Sequence, residues 1–282
     1  MWPLASRGDL IFHLRPAGRR CPACSRRSHR SLGKFRSTHF PLDPSANWSR
    51  DEFHLFWCDC ETVYLAPLPA EDDFRAMYAD AEQFSSEAYM DQDRIELILE
   101  FLTSRLEFLA SSMTCGPDGP SILEIGAGNA WMCRAAKSMF PTCRTTAQDI
   151  TTEVADRCPW ADEYVVANIA DLRTDEKFDV ISLTHVFEHV PDPTETLRLL
   201  RPLLHPRGRV FITMPFRPRG RTRPILRDDW LSYSYLHVPA HLQYLSERSM
   251  RRLAERTGFE VTFWDATSEG GDACEVHLAL AV

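Results

Sequence analysis

The chain has 282 residues, of which 44% are hydrophobic and 26% are charged, and its formal net charge is −8. Such a chain can bury one sizeable core and has room for one small additional module. No stretch approaches the roughly 18 consecutive apolar residues of a membrane-spanning helix, and the first residues lack the apolar run of a signal peptide. These features argue against a membrane protein, and we expect a soluble cytoplasmic protein.

Two close cysteine pairs mark the amino-terminal segment, residues 1–70, in which short apolar stretches alternate with turn residues and few strands are expected. Cys21 and Cys24 have the spacing of a metal-binding knuckle, whereas Cys58 and Cys60 would lie on the same face of a strand. Four thiolates predict a closed structural zinc site, and buried thiols without a metal are the alternative. The other members of the nine cysteines are scattered, which argues against a disulfide framework.

Charge is distributed unevenly along the chain. Residues 1–50 carry ten basic and two acidic side chains, although the whole chain is acidic. A basic module beside an acidic body is typical of proteins that bind a phosphate-bearing partner, and a solvated basic surface is the alternative.

Helical and strand-like patterns fill the rest of the chain. Within residues 71–118, DQDRIELILEFLTSRLEFLASSM places apolar residues at helical intervals, which predicts connecting helices. From residue 119 onward, strand-like runs alternate with helical patterns: SILEIG precedes a helix that ends near 139, and FDVISLTHV precedes ETLRLLRPLL. This alternation predicts an α/β fold with a doubly wound, mainly parallel sheet covered by helices on both faces. FEVTFWDA and CEVHLALAV have no helix between them, which predicts an antiparallel hairpin at one edge.

A glycine turn follows the first of these strands, with Gly126 and Gly128 after Glu124. Glycines permit a sharp turn and let a ligand approach the backbone, and the next helix points its amino terminus at that ligand. Asp149 ends the next predicted strand about twenty residues on, where an acid can accept hydrogen bonds from ribose hydroxyls. Ligands of an open parallel sheet bind outside the carboxyl ends of its strands. We therefore expect one crevice lined by the residues that end four strands: Glu124, Asp149, Asn168 and His185.

From about residue 85 to the carboxy terminus, the sequence resembles the class I S-adenosylmethionine-dependent methyltransferases. The resemblance is carried by LEIGAGNAW, by Asp149, by NIADL before FDVIS, and by the blocks FDVISLTHVFEHVPDP, GRVFITMPF and HLQYLSERSMRRLAERTGFEV. It implies a seven-stranded, Rossmann-like methyltransferase domain over residues 119–282, with S-adenosylmethionine as the cofactor. Ala130 stands where a third glycine is usual, which favours S-adenosylmethionine over a dinucleotide because no diphosphate needs to approach the turn.

The same resemblance implies a cofactor contact for each matching position. The residues against the methionine portion would be Glu124, Gly126 and Gly128. Asp149 would hold the ribose, and Asn168 would sit beside the adenine. His185 would flank the cofactor near the methyl group that is transferred.

Residues 1–70 resemble the amino-terminal zinc module that precedes some bacterial small-molecule methyltransferases, including sugar C-methyltransferases. In that module CPxC is followed by a second pair, usually CxxC, and by a strand like VYLAPLP. Here Trp57 takes the place of the first cysteine of the second pair. The alternatives for the fourth zinc ligand are His54, His39 and His29.

The loop after GRVFITMPF is the expected acceptor site. Its HLQYLS stretch resembles one in the sugar C-methyltransferases, in which the matching histidine is the proposed general base, and this resemblance assigns that role to His241. A glutamate found beside it in that group is Ala240 here. The further catalytic candidates in the loop are His237 and Tyr235, followed by Tyr233 and Tyr244. Packing is the alternative role for the aromatic residues, and Glu188 and His189 fit helix caps and active-site groups equally well.

The expected function is methyl transfer to a small-molecule acceptor in bacterial secondary or cell-surface metabolism. Arginines in the acceptor loop predict a clamp for a phosphate-bearing or carrier-tethered acceptor, with a solvated loop as the alternative. These arginines are Arg217, Arg219, Arg221, Arg223 and Arg227. We expect neither nucleic-acid nor membrane partners. An RNA methyltransferase with a zinc module is the second hypothesis, and a protein that binds the cofactor without transferring methyl is the third.

Overall fold

Two β-sheets organise the chain in the computed structural model. The structure describes residues 19–27, 29–36, 52–70, 91–113, 116–150, 154–216, 227–266 and 273–281. The strands in chain order are β1 (His29–Arg36), β2 (Glu52–Cys58), β3 (Val63–Leu65), β4 (Ile122–Ile125), β5 (Thr145–Asp149), β6 (Glu163–Val166), β7 (Phe178–Thr184), β8 (Leu204–Pro215), β9 (Gln243–Tyr244), β10 (Phe259–Asp265) and β11 (Ala273–Leu280). The helices are α1 (Gln92–Ser111), α2 (Trp131–Met139), α3 (Pro193–Leu200), α4 (Arg227–Leu231) and α5 (Glu247–Thr257). Short 3-10 helices lie at Ala155–Arg157, Ile169–Asp171 and Arg201–Leu203.

A seven-stranded sheet forms the body of the molecule, in the order β10-β11-β8-β7-β4-β5-β6. The strands from β8 to β6 pair in parallel, and β11 pairs antiparallel with both β8 and β10. The predicted α/β fold and its antiparallel edge hairpin are confirmed. The chain runs outward from β4 to β6 in one direction and from β7 to β8 in the other, so the order reverses beside β4. Open parallel sheets bind their ligands at the carboxyl ends of the strands next to such a reversal.

Helix α1 packs against α2 and is the described part of the predicted connecting helices. Asp91 caps it by accepting a hydrogen bond from the Arg94 amide at 2.8 Å. The residues buried on its inner face are Ile95, Leu102, Leu106 and Leu109. Arg105 pairs through Nε with Oε2 of the buried Glu275 at 2.6 Å, which ties the helix to β11. Residues 71–90 lie outside the described residues, and among the described helices none is long and apolar enough to cross a membrane.

Helix α3 begins at a capping residue, and helix α5 both begins and ends at one. The Asp192 side chain accepts hydrogen bonds from the first turn of α3, in which Pro193 takes the first position. Ser246 and Ser249 form a reciprocal capping box at the start of α5, and Gly258 ends that helix with a φ of 78°. The caps of α5 fix the bounds of the helix that SERSMRRLAERTG predicts, Glu247–Thr257.

The second sheet has four antiparallel strands in the order β1-β2-β3-β9. Few strands were expected in this region, but β1 pairs with β2 from His29 opposite Cys58 to Arg36 opposite Glu52. Strand formation depends on cross-strand pairing more than on composition, which is why this polar stretch was not recognised. The last strand, β9, comes from the HLQYLS stretch and pairs with β3.

The small sheet and the segment between β8 and α5 share one hydrophobic cluster. Leu55 of β2 is buried in it together with Trp230 and Leu242 of that segment. Arg19 adds polar contacts, because its guanidinium donates to the carbonyl oxygens of Leu65 at 3.1 Å and Leu242 at 3.2 Å. The amino-terminal region therefore packs directly on the predicted acceptor loop. The predicted boundaries after residues 70 and 118 remain predictions.

Candidate active site

The turn that joins β4 to α2 contains three residues with positive φ. Gly126, Gly128 and Ala130 have φ values of 61°, 48° and 53°. For an alanine this left-handed conformation costs roughly 1–2 kcal/mol, so the turn is strained where a third glycine is usual. The Ala130 methyl group is fully buried. Packing around the turn therefore holds a backbone shape that the alanine alone would disfavour.

The carboxylate of Glu124 is buried against the start of α2. Its Oε1 accepts a hydrogen bond from the Met132 amide at 3.1 Å, and its Oε2 accepts one from the Cys133 amide at 3.0 Å. Burial, partly offset by these hydrogen bonds, raises the pKa of Glu124 to about 7. Glu124 thus fixes the helix to the strand end, and its contact with the methionine portion of a cofactor stays a prediction.

Asp149 connects the glycine turn to the neighbouring strand ends. Its Oδ2 accepts a hydrogen bond from the Gly128 amide at 2.8 Å, and its Oδ1 accepts one from the Ile150 amide at 2.7 Å. The Asp149 carbonyl accepts a hydrogen bond from the Ala167 amide at 2.9 Å, which places the exposed Asn168 at the next strand end. The structure therefore brings Gly128, Asp149 and Asn168 together at the carboxyl ends of β4, β5 and β6.

Two aromatic side chains that sequence reasoning missed support the same turn. The Tyr164 hydroxyl donates to the Gly128 carbonyl at 2.8 Å, and the Trp160 indole nitrogen donates to the Asn129 carbonyl at 2.9 Å. The Arg134 guanidinium lies 4.7 Å from the centroid of the Trp160 ring, within the range of a cation–π contact. The stretch WADEY offers polar aromatic residues, but no local pattern tells which carbonyls they reach.

Replacing Gly126 with alanine should destabilise the turn. The residue has a positive φ, and a Cβ at this position would lie 2.5 Å from Cγ2 of Val186, beside the end of β7. We expect the free energy of unfolding to fall by roughly 2 kcal/mol in thermal or chemical denaturation. The matched control is Gly116→Ala, because a Cβ there meets nothing within 4 Å. Equal stability of the two variants would contradict the described turn.

The predicted catalytic residues lie next to His185, the last of the predicted cofactor contacts. His185 has a φ of 54° and donates its amide to the Thr213 carbonyl at 2.9 Å. Its ring stacks on Tyr235 with centroids 6.2 Å apart and an interplanar angle of 6°. Further along, His237 stacks on His241 with centroids 4.7 Å apart. The structure thus brings all three catalytic candidates to the end of β7.

His241 is buried, and its Nδ1 donates a hydrogen bond to the Tyr235 carbonyl at 2.9 Å. Because a carbonyl oxygen only accepts, the proton of the neutral ring is on Nδ1 and Nε2 carries a lone pair. Burial lowers the pKa of His241 to about 3, so the ring is neutral near pH 7. Its Nε2 lies 3.9 Å from Oε1 of Glu188. Glu188, which the sequence left open between a cap and an active-site group, is therefore at the centre of the histidine cluster.

The lower-ranked candidates Tyr233 and Tyr244 belong to the hydrophobic cluster of the loop. Both rings make edge contacts with Trp230, with centroids 5.8 and 4.7 Å apart. The Tyr244 hydroxyl donates to the Tyr235 carbonyl at 3.0 Å. These contacts support a packing role for the two tyrosines.

The four cysteines of the amino-terminal pairs meet at one point. The Sγ atoms of Cys21 and Cys60 are 3.5 Å apart, as are those of Cys24 and Cys58, and all four lie within 4.8 Å of one another. Sulfurs bound tetrahedrally to one zinc ion lie about 3.8 Å apart, so this set fits zinc. No disulfide forms among the cysteines of the described ranges. Of the histidines considered as substitutes, His54 has its side chain described and is not part of the cluster, and His39 lies outside the described residues.

One expected placement of these cysteines is wrong. Cys58 ends β2, but Cys60 lies in the turn that follows and not on the strand. The amide of Glu61 donates to the Cys58 carbonyl at 2.8 Å and the amide of Cys58 donates to the Thr62 carbonyl at 2.9 Å, which reverses the chain into β3. The reversal turns Cys60 toward Cys21.

The predicted phosphate clamp falls outside the described residues. Arg217, Arg219, Arg221 and Arg223 lie in the gap between 216 and 227, and Arg227 is described only as the first residue of α4.

Comparison with known proteins identifies relatives for the carboxy-terminal part of the chain. The ubiquinone biosynthesis O-methyltransferase of Xanthomonas axonopodis pv. citri (strain 306) is 27% identical over 124 residues, which cover 41% of this chain and 47% of that protein. The protein of the same name from Aeromonas salmonicida (strain A449) is 31% identical over 94 residues, covering 32% of this chain and 38% of that protein. The chain thus spans less than half the length of these relatives.

Solved structures share the fold over most of the chain. The plantazolicin methyltransferase BpumL, in complex with a monoazolic desmethylPZN analog and SAH, has a TM-score of 0.55 and 16% identity and covers 74% of this chain and 93% of its own. The Burkholderia thailandensis 1,6-didemethyltoxoflavin-N1-methyltransferase, with bound 1,6-didemethyltoxoflavin and S-adenosylhomocysteine, has a TM-score of 0.53 and 15% identity and covers 88% of this chain and 100% of its own. At these identities the likeness shows the fold.

The family model of a methyltransferase domain matches residues 90–262. That range contains α1, the glycine turn, the strand ends with Asp149 and His185, and the loop with His241. It is more than half of the chain. The resemblance to the class I S-adenosylmethionine-dependent methyltransferases is confirmed, and the chain belongs to this methyltransferase domain family.

Proposed function

We propose that the chain transfers a methyl group from S-adenosylmethionine to a small-molecule acceptor. The observation that carries the proposal is the hydrogen-bonded set formed by Gly128, Asp149 and Ala167 at the carboxyl ends of three parallel strands. Sheets of this kind bind nucleoside ligands at that edge. Two structures of the same fold contain S-adenosylhomocysteine, which adds support.

Asp149 is the proposed ribose ligand. A carboxylate has two acceptor oxygens, which can bridge the two neighbouring ribose hydroxyls. Asn168, exposed at the neighbouring strand end, is the proposed adenine contact. His185, at the end of β7, would lie near the transferred methyl group.

Oxygen is the proposed acceptor atom. The relatives found by sequence are named O-methyltransferases, and a hydroxyl acceptor must lose a proton during transfer. The acceptor would lie against Tyr235 and His237. The ring of Tyr235 stacks on that of His185, and the ring of His237 contacts that of Tyr235. A phosphate-bearing or carrier-tethered acceptor, and a role in bacterial secondary or cell-surface metabolism, rest on the sequence alone.

His241 is the proposed general base according to the sequence resemblance. Its Nε2 is the ring atom that can take a proton, because Nδ1 is bonded to the Tyr235 carbonyl. A base with a pKa of about 3 removes protons poorly near pH 7. The role therefore requires that acceptor binding change the surroundings of the ring.

We also propose that the four cysteines hold a structural zinc ion. Four thiolates fill the tetrahedral coordination of zinc and leave no open position for catalysis. The Thr62 hydroxyl lies 3.1 Å from Sγ of Cys60, where it can donate to a thiolate. A zinc ion here would join the turn of Cys21 and Cys24 to the β2–β3 hairpin.

Incubation of the purified full chain with methyl-labelled S-adenosylmethionine tests the proposed reaction. We expect label in pools of bacterial small molecules and binding of S-adenosylhomocysteine in isothermal titration. Label in total RNA alone would support the second hypothesis, an RNA methyltransferase. Cofactor binding without label in either pool would support the third hypothesis, and absence of cofactor binding would overturn all three.

A further inference from the structure

The buried carboxylate of Glu188 lacks a close hydrogen bond among the described residues. Its side chain is 1% exposed, and neither oxygen has a hydrogen-bond partner within the described part of the chain. The nearest nitrogens are Nδ1 of His185 at 3.5 Å and Nε2 of His189 and of His241, each at 3.9 Å from Oε1. A buried carboxylate is costly to the fold unless hydrogen bonds or a cation compensate it.

Two of these histidines turn a lone pair toward Glu188. His189 donates through Nδ1 to the Ala240 carbonyl at 3.0 Å, as His241 does to the Tyr235 carbonyl at 2.9 Å. In each neutral ring Nε2 is then the acceptor nitrogen. One oxygen of Glu188 and two imidazole nitrogens thus converge, all within 4.8 Å of one another.

From this convergence we propose that Glu188, His189 and His241 bind a divalent transition-metal ion, in a site separate from the four cysteines. Metal-binding histidines commonly donate their other ring N–H to a carbonyl, which fixes the tautomer and the ring direction. Two imidazoles and one carboxylate suit ions such as zinc, iron(II) and cobalt(II). Ligand atoms around such an ion lie about 3.4 Å apart, so each of the two nitrogen–oxygen distances of 3.9 Å would shorten by about half an ångström.

A proton does not compensate this cluster as well as a metal ion does. A nitrogen–oxygen distance of 3.9 Å is too long for a hydrogen bond. A proton on His185, whose Nδ1 lies 3.5 Å from Oε1, would pair with the carboxylate but leave the lone pairs of His189 and His241 facing it. A proton on either of these two rings would leave the lone pair of the other facing the carboxylate. A single ion can contact all three groups.

The position of the site suggests what the ion would act on. His185, whose side chain is 35% exposed, is the most open of the groups around Glu188 and stacks on Tyr235 of the acceptor loop. An ion at this point would lower the pKa of an acceptor hydroxyl that it contacts. With the ion bound, Nε2 of His241 would be a ligand, so the ion would take over the activation of the hydroxyl that is otherwise proposed for His241 as general base. That use rests on the proposed methyl transfer, whereas binding of the ion does not.

Titration of the full chain with cobalt(II), after loading with one equivalent of zinc for the four cysteines, tests the site. With the cysteines occupied by zinc, we expect saturable cobalt binding with weak ligand-field absorption and without the intense band of a cobalt–thiolate bond. Glu188→Gln and His241→Gln should each weaken this binding at least tenfold and abolish the rise in Tm that cobalt produces in the wild type. The matched control is His205→Gln at the start of β8, which should bind cobalt as the wild type does.

Three results would overturn the site: no cobalt binding by the zinc-loaded wild type, unchanged binding by both variants, or equal loss in the His205 control. If Glu188→Gln fails to fold, the wild-type titration and His241→Gln decide the matter. Isothermal titration with S-adenosylhomocysteine on the same samples reports on the cofactor site separately. Loss of one kind of binding without the other therefore distinguishes this proposal from the proposed function.

Discussion

Replacing Cys58 with serine should release the proposed zinc ion and produce the largest loss of stability among the changes considered. Structural zinc contributes about 10–16 kcal/mol to the folding of zinc-finger peptides at pH 7. Loss of one of four thiolates should remove several kcal/mol of this folding free energy. We therefore expect Tm to fall by roughly 10 °C. Metal analysis and calorimetry of the purified chain measure both effects.

The surroundings of Cys58 explain why the effect should spread. Cys58 is fully buried and ends β2, the central neighbour of β1 and β3 in the small sheet. Strand β3 in turn pairs with β9, two residues after His241. We therefore expect the serine variant to lose methyl transfer more than it loses cofactor binding, because the acceptor loop depends on this sheet and the glycine turn does not.

Cys143→Ser is the matched control for the zinc prediction. Cys143 is also buried, but it lies before β5 and outside the four-cysteine cluster. The Cys143→Ser variant should keep the wild-type zinc content, and its free energy of unfolding should fall by at most about 1–2 kcal/mol. If Cys58→Ser retained zinc, or if wild-type protein contained little, the four cysteines would be no more than buried thiols.

Periodicity and chain order were enough to predict the large sheet. Alternating strand and helix patterns admit few right-handed parallel arrangements, and the absence of a helix between FEVTFWDA and CEVHLALAV indicated the antiparallel hairpin. Glu124 and His185 were identifiable because polar residues there interrupt apolar runs, and Asp149 because it follows the glycine turn by about twenty residues. The hydrogen-bond partners of these residues could not be predicted from the sequence. Glu124 bonds to α2, and Asp149 bonds to the glycine turn, only once the sheet has formed.

The small sheet and the histidine cluster depend on contacts between distant segments. Strand β9 has two residues and no periodicity to detect, yet it pairs with β3, which lies some 180 residues earlier in the chain. Glu188 and His241 come from separate motifs, FEHVPDP and HLQYLS, and the amide of Leu242 donates to the Glu188 carbonyl at 2.8 Å. Each motif alone fits a cap or a packing role. Their shared chemistry becomes visible only in three dimensions.

Replacing Asp149 with alanine should weaken binding of S-adenosylhomocysteine about 100-fold in isothermal titration. A hydrogen bond to a charged group contributes about 1.5–3 kcal/mol, and Asp149 is proposed to accept from two ribose hydroxyls. The change also removes the acceptor of the Gly128 amide, which holds the glycine turn in place. Asp149→Asn keeps the size and one acceptor oxygen, so it should lose less, roughly tenfold.

Asp156→Ala provides the matched control, because Asp156 is an exposed acid on the 3-10 helix just after β5. Asp156→Ala removes the same charge seven residues along the chain and should leave cofactor affinity unchanged, which separates a specific ribose contact from a general effect of charge. Equal weakening by Asp149→Ala and Asp156→Ala would argue for the general effect. Undiminished binding by Asp149→Ala would remove Asp149 from the cofactor site and leave the hydrogen bond to Gly128 as its structural role.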